Sequence, residues 1–138
     1  MRFTELSVGQ SAELATVVTD DMIRTFADVT GDTNPLHLDE AAAARTRFGG
    51  RIAHGMLSAG FISAVVGTRL PGFGAIYLSQ ALRFTRPVRP GDTITARVEV
   101  AELFPAKLRA RFTTTCRNQH GDIVLDGEAL ILVPEESG

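Results

Sequence analysis

The chain has 138 residues, 44% of them apolar and 22% charged, the size and composition of one globular domain and not of a disordered or fibrous chain. Its 14 Lys and Arg against 16 Asp and Glu give a formal net charge of −2, so the overall balance offers no attraction for nucleic acid or an anionic membrane. One cysteine, Cys116, excludes an internal disulfide and suits a reducing cytoplasm, and the lone cysteine and three scattered histidines lack metal-ligand spacing, so no zinc site is expected.

The opening MRFTELSVGQ holds no apolar run of the kind a secretory signal needs. Ala12 to Val18 follows as a short strand after the turn-like Ser7-Val8-Gly9-Gln10. Thr19 then stands as an N-cap, with Asp20 and Asp21 in the first turn, where acids suit the helix dipole. Ile23, Phe26 and Ala27 share one face of that helix, and Gly31 is its stop. The loop GDTNPLHLD begins there and spans Gly31 to Asp39. Asp39 caps a further helical turn reaching Arg45, and Phe48-Gly49-Gly50 breaks the chain. From His54 to Arg69 apolar and small residues fall on every side, which predicts a buried helix. The apolar run Ile52 to Val66 is too short to span a bilayer.

After Pro71-Gly72 the pattern turns to β-structure. Ile76, Leu78, Leu82 and Phe84 read as one face of a strand, and Arg89-Pro90-Gly91-Asp92 as a turn. Ile94, Ala96, Val98 and Val100 give a second period-2 run; Leu108, Ala110, Phe112 and Thr114 give a third. His120-Gly121-Asp122 turns the chain into a fourth, Ile123 to Val133. The sum is an α+β domain over residues 1–138, an antiparallel sheet of about five strands wrapped around one long helix. Such a sheet leaves an edge and one side of the helix uncovered, which favours a homodimer.

Three places carry residues suited to chemistry. Asp32 and His37 flank Asn34-Pro35, and the proline stiffens a corner able to hold a carboxylate and an imidazole around one water, with Asn34 keeping the loop in register. An Asp near a His in a polar turn is, on local pattern alone, more often structural. His54-Gly55 heads the buried helix, where free amide N–H groups and a missing side chain would admit a substrate carbonyl; Gly55 serves equally well to relieve crowding between sheet and helix. His54 reads as a structural histidine, His120 as a surface residue and Cys116 as packing. Ser63 has no G-x-S-x-G setting and reads as a packing or hydrogen-bonding residue.

FADVTGDTNPLHLDEAAAARTRFGGRIAHGMLSAGFIS (Phe26 to Ser63) and IYLSQALRFTRPVRPGDTITARVEV (Ile76 to Val100) resemble segments of the MaoC-like (R)-specific enoyl-CoA hydratases. The combination D-x-N-P-x-H with a following A-H-G-M-L is far more specific than either half. The resemblance implies a hot-dog fold that pairs as a homodimer, Asp32 and His37 as the catalytic pair, Asn34 as the residue that orients them, and the Gly55 amide as the group receiving the thioester oxygen. It also puts Ser63 at a position lining the site.

The reaction so implied is syn addition of water to a trans-2-enoyl-CoA, giving the (R)-3-hydroxyacyl-CoA, in a cytoplasmic protein without cofactor. Val66 and Leu130 are expected as walls of the acyl pocket; Arg83, Arg86 and Arg89 read equally as a face for CoA phosphates or an acidic carrier and as a solvated strand face. Dehydration of a 3-hydroxyacyl carrier-protein thioester, thioester hydrolysis and acyl-thioester binding without turnover are the competing readings.

Overall fold

A computed structural model describes residues 1–135. Five strands, β1 (Ser11–Val17), β2 (Ile76–Phe84), β3 (Thr93–Phe104), β4 (Arg109–Arg117) and β5 (Ile123–Leu132), form one sheet in the order β1-β3-β4-β5-β2, every pair antiparallel. Four helices accompany it: α1 (Asp20–Thr30), α2 (Pro35–Leu38), α3 (Glu40–Ala44) and α4 (Gly55–Thr68). This is the α+β arrangement the alternating patterns predict.

The core lies between α4 and the inner face of the sheet. Ile94, Ala96, Val98 and Val100 of β3 and Ala110, Phe112, Thr114 and Cys116 of β4 are all buried, and Ile62, Val65 and Val66 of α4 pack against them. Burying each large side chain of this set contributes roughly 1.5–3 kcal/mol. The Cys116 thiol donates to the Ser58 carbonyl oxygen at 3.6 Å, linking β4 to α4.

Local signals act where they occur. The Thr19 hydroxyl accepts from the Met22 N–H at 3.1 Å, and α1 ends at Gly31 in the left-handed region, φ 80°. Asp39 Oδ1 accepts from the Ala42 N–H at 3.1 Å to start α3. Two sequence expectations shift. Leu108 lies outside β4, at φ 54°. The expected single face of β2 is broken by a bulge between Tyr77 and Ser79. An extra residue there changes the side-chain phase, so Ile76 and Leu78 emerge 48% and 40% exposed instead of joining Leu82. The helix α4 is not covered all round either: Met56, Gly60, Ser63, Ala64 and Gly67 form an exposed stripe along it.

Candidate active site

The corner from Gly31 to Asp39 is built from its own side chains. Asn34 Oδ1 accepts from the Leu36 N–H at 3.0 Å and so caps α2, whose first residue is Pro35. The Asn34 N–H donates to Asp32 Oδ1 at 3.4 Å, and its carbonyl oxygen accepts from the His37 N–H at 2.9 Å. One residue thus ties the acid to the start of the turn that carries the histidine. Arg51 closes the corner from outside: its Nε donates to the His37 carbonyl oxygen at 2.7 Å, and its far nitrogen to Asp20. Hydrogen bonds from Arg24 and then Arg51 hold the Asp20 carboxyl below the usual carboxylate range.

His37 is 9% exposed, and its Nδ1 lies 2.7 Å from the Ile52 carbonyl oxygen. A carbonyl can only accept, so Nδ1 carries the proton, and Nε2 is the ring nitrogen left to face the site. His54, the N-cap of α4, packs its ring against His37 with centroids 3.9 Å apart, and against Phe26 at 4.7 Å. By the same argument His54 Nε2–H donates to the Asp32 main-chain oxygen, 3.0 Å away, leaving a buried Nδ1 without a partner among the described residues. Ligand atoms of Asp32, His37 and His54 all lie within 4.8 Å of one another. The fold therefore gathers an acid and two histidines that the sequence scatters. These residue types would also suit a metal ion, since each ring has one nitrogen on a main-chain carbonyl and keeps the other available.

Beside this cluster opens a cavity of about 380 Å³ whose wall includes His37, Ile52, Gly55, Ser58, Phe84 and Val88. The N-terminus of α4 meets it at Gly55. The first amides of a helix have no intrahelical acceptor, and the His54 side chain does not cap them. A Cβ on Gly55 would sit 2.6 Å from the Phe84 ring, so glycine alone fits here without displacing that ring. The arrangement offers an acid–base pair and amide donors to a carbonyl compound in a largely apolar slot.

Other expected residues stand elsewhere. Ser63 keeps to the Met56 side of α4, as its two-turn spacing predicts, but that side is open surface here, and the serine lining the cavity is the buried Ser58. Val66 faces the sheet and is 2% exposed. Leu130 alternates with the buried Ala129 and Ile131, which points it to the outer face of β5. There it joins Leu103, Phe104 and Arg109 around a larger groove of about 510 Å³ that contains no member of the acid–histidine cluster. Arg83 is paired in two-pronged fashion with Asp126, and Arg89 donates to the carbonyl oxygens of Phe48 and Gly50. Arg47, Phe48, Met56 and Ser58 line the cavity without having stood out in the sequence, because only the folded loop brings them to it.

Comparisons with known proteins point to one family. A family model described as MaoC like domain matches residues 4–120. The chain is 54% identical over 132 residues to the (R)-specific enoyl-CoA hydratase of Rhodospirillum rubrum, covering 96% of this chain and 91% of that protein. It is 53% identical over 134 residues to the 3-hydroxybutyryl-CoA dehydratase of Methylorubrum extorquens, covering 97% and 85% respectively. Among solved structures, the unliganded R-hydratase PhaJ1 of Pseudomonas aeruginosa superposes with a TM-score of 0.92 at 52% identity, over 98% of this chain and 86% of that one.

Proposed function

The chain belongs to the MaoC-like domain family, and from that membership we propose that it is an (R)-specific enoyl-CoA hydratase, adding water reversibly to a trans-2-enoyl-CoA to give the (R)-3-hydroxyacyl-CoA. The observation that carries the reading is the meeting of Asp32, His37 and the Gly55 end of α4 at one cavity.

The thioester polarises the adjacent double bond, so water attacks C3 while negative charge moves to the thioester oxygen. The N–H of Gly55 is the donor for that oxygen; one such donor is worth about 3–4 kcal/mol in other enzymes. Water needs a base. His37 Nε2 and the Asp32 carboxylate grip it together; Asp32 takes its proton and returns one to C2 on the same face, which is syn addition. Such a positioned acid–base group contributes roughly 10²–10⁴-fold. Asn34 orients the pair through its two main-chain bonds and its cap.

In this reading residues 1–138 work as one domain in the cytoplasm, with acyl-CoA as the partner molecule. No helix among the described residues is long and apolar enough to cross a membrane. A second copy covers the apolar margin. β2 is an edge strand, and Ile76, Leu78, Phe84 and Met56 stand 40–56% exposed along it and at the start of α4. Pairing there would also cover the Ser63 stripe.

The test is hydration of crotonyl-CoA and longer enoyl-CoAs, followed by the loss of enoyl absorbance and by chiral analysis of the product. An (R)-3-hydroxyacyl-CoA is expected. Release of free thiol without a hydroxyacyl product, or an (S) product, overturns the reading.

A further inference from the structure

Although the chain is acidic overall, its cavity is not. Among the described residues, the lining includes Arg47, Arg86 and His37 and no Asp or Glu. The arginines around this region fall into two groups. Arg51, Arg83 and Arg89 are spent on structure: Arg51 on Asp20 and the His37 carbonyl, Arg83 on Asp126, Arg89 on the loop carbonyls of Phe48 and Gly50. Arg47 and Arg86 are exposed and, among the described residues, have neither a carboxylate nor a carbonyl partner. Arg47 rests over the Phe48 ring at 4.9 Å, a contact that restrains the side chain yet leaves its N–H donors free.

Two exposed guanidinium groups on a largely apolar wall without a carboxylate attract an anion, and their forked donors match phosphate oxygens. The cavity's reactive end is the His37 and Gly55 region, so a substrate reaching it brings an apolar acyl group and a carbonyl inward. Whatever negative charge it carries must lie on the arm that trails outward.

We propose that Arg47 and Arg86 form a phosphate-binding mouth, recognising the phosphate groups on the carrier arm of the thioester. The inference rests on the hydratase reading for which end of the substrate points inward, but the anion site itself does not. It selects Arg86 from the sequence-level set of Arg83, Arg86 and Arg89, removes the other two, and adds Arg47.

The experiment compares wild type with Arg47→Gln, Arg86→Gln and the double variant on crotonyl-CoA, crotonyl-4′-phosphopantetheine and crotonyl-N-acetylcysteamine, which has no phosphate. Charge-assisted hydrogen bonds of this kind predict a KM for crotonyl-CoA raised roughly 10- to 100-fold in the double variant, with kcat little changed. Turnover of the N-acetylcysteamine thioester should be the same in all four proteins. Loss confined to crotonyl-CoA assigns the contact to nucleotide phosphates; equal loss with the phosphopantetheine thioester assigns it to the phosphate shared with carrier proteins. An unchanged KM for crotonyl-CoA, or an equal loss on the uncharged thioester, overturns the proposal.

Calorimetric titration with free CoA separates the two readings. A wild type that hydrates nothing yet binds CoA through these arginines defeats the hydratase alone. A wild type that hydrates crotonyl-CoA and binds CoA no better than the double variant defeats the phosphate mouth alone.

Discussion

The rings of His37 and His54 stack 3.9 Å apart, and each donates its one committed N–H to a main-chain oxygen of the other's neighbourhood: His37 to Ile52, His54 to Asp32. The two exchanged bonds lock the loop that holds the acid onto the head of α4. His54 is therefore a positioning residue for Asp32 and His37, acting through the loop and touching no substrate atom in the mechanism above. His54→Phe keeps the stack and removes the bond to Asp32. It is expected to lower kcat by up to roughly a hundredfold with little change in KM, since the loss is one of placement. A variant whose KM rises while kcat holds would contradict this role.

In the proposed mechanism Asp32→Asn and His37→Gln each remove the proton-transfer path. Both should lose crotonyl-CoA hydration by at least roughly 10²–10⁴-fold. Asp32 is exposed and His37 makes one side-chain bond, so melting temperatures should stay close to wild type, read by circular dichroism. Near-normal turnover in either variant defeats the assignment.

Gly55→Ala drives a methyl group into the Phe84 ring, 2.6 Å from where the new carbon would lie. Phe84 lies on the margin that the proposed second copy covers, so its ring shifts against a neighbour: a stability cost of roughly 1–3 kcal/mol is expected, and the shifted ring obstructs the carbonyl site. The informative measurement is the double variant with Phe84→Ala. Recovered activity identifies the ring as the obstacle, whereas no recovery means that the amide itself has moved.

Burial pushes the Cys116 thiol up to about 12 from its ordinary 9.0. The folded state thus prefers the protonated thiol, and the unfolded chain releases its proton first as pH rises. Stability from this group is full below pH 9 and is lost progressively between about 9 and 12. Cys116→Ala should flatten that alkaline decline in urea midpoints. The native thiol should also resist a thiol reagent at neutral pH until the protein unfolds.

A charge placed on the open edge tests the dimer. Leu78→Glu on β2 should convert a dimer into a monomer by light scattering, because its side chain is 40% exposed at the bulge while the strand's inner face is untouched. A wild type that stays monomeric at every concentration overturns the pairing.

The sequence determined what acts over a few residues. Thr19, Asn34 and Asp39 cap the turns that follow them, Gly31 ends α1, and the alternation of β3 and β4 reaches the core as it reads. The acid–histidine corner is legible for the same reason, since Asp32, Asn34 and His37 lie on one stiff turn. Tertiary structure decided everything that depends on which side of an element faces what. Helical spacing puts Ser63 beside Met56 but does not say whether that stripe meets cavity or open surface, and period-2 spacing cannot foresee the bulge that turns Ile76 and Leu78 outward. Likewise, a net charge of −2 summed along the chain conceals two exposed arginines that line one cavity. Local hydrogen bonds are written in neighbouring residues, whereas cavities and their charge arise from segments that meet only after the sheet has closed over α4.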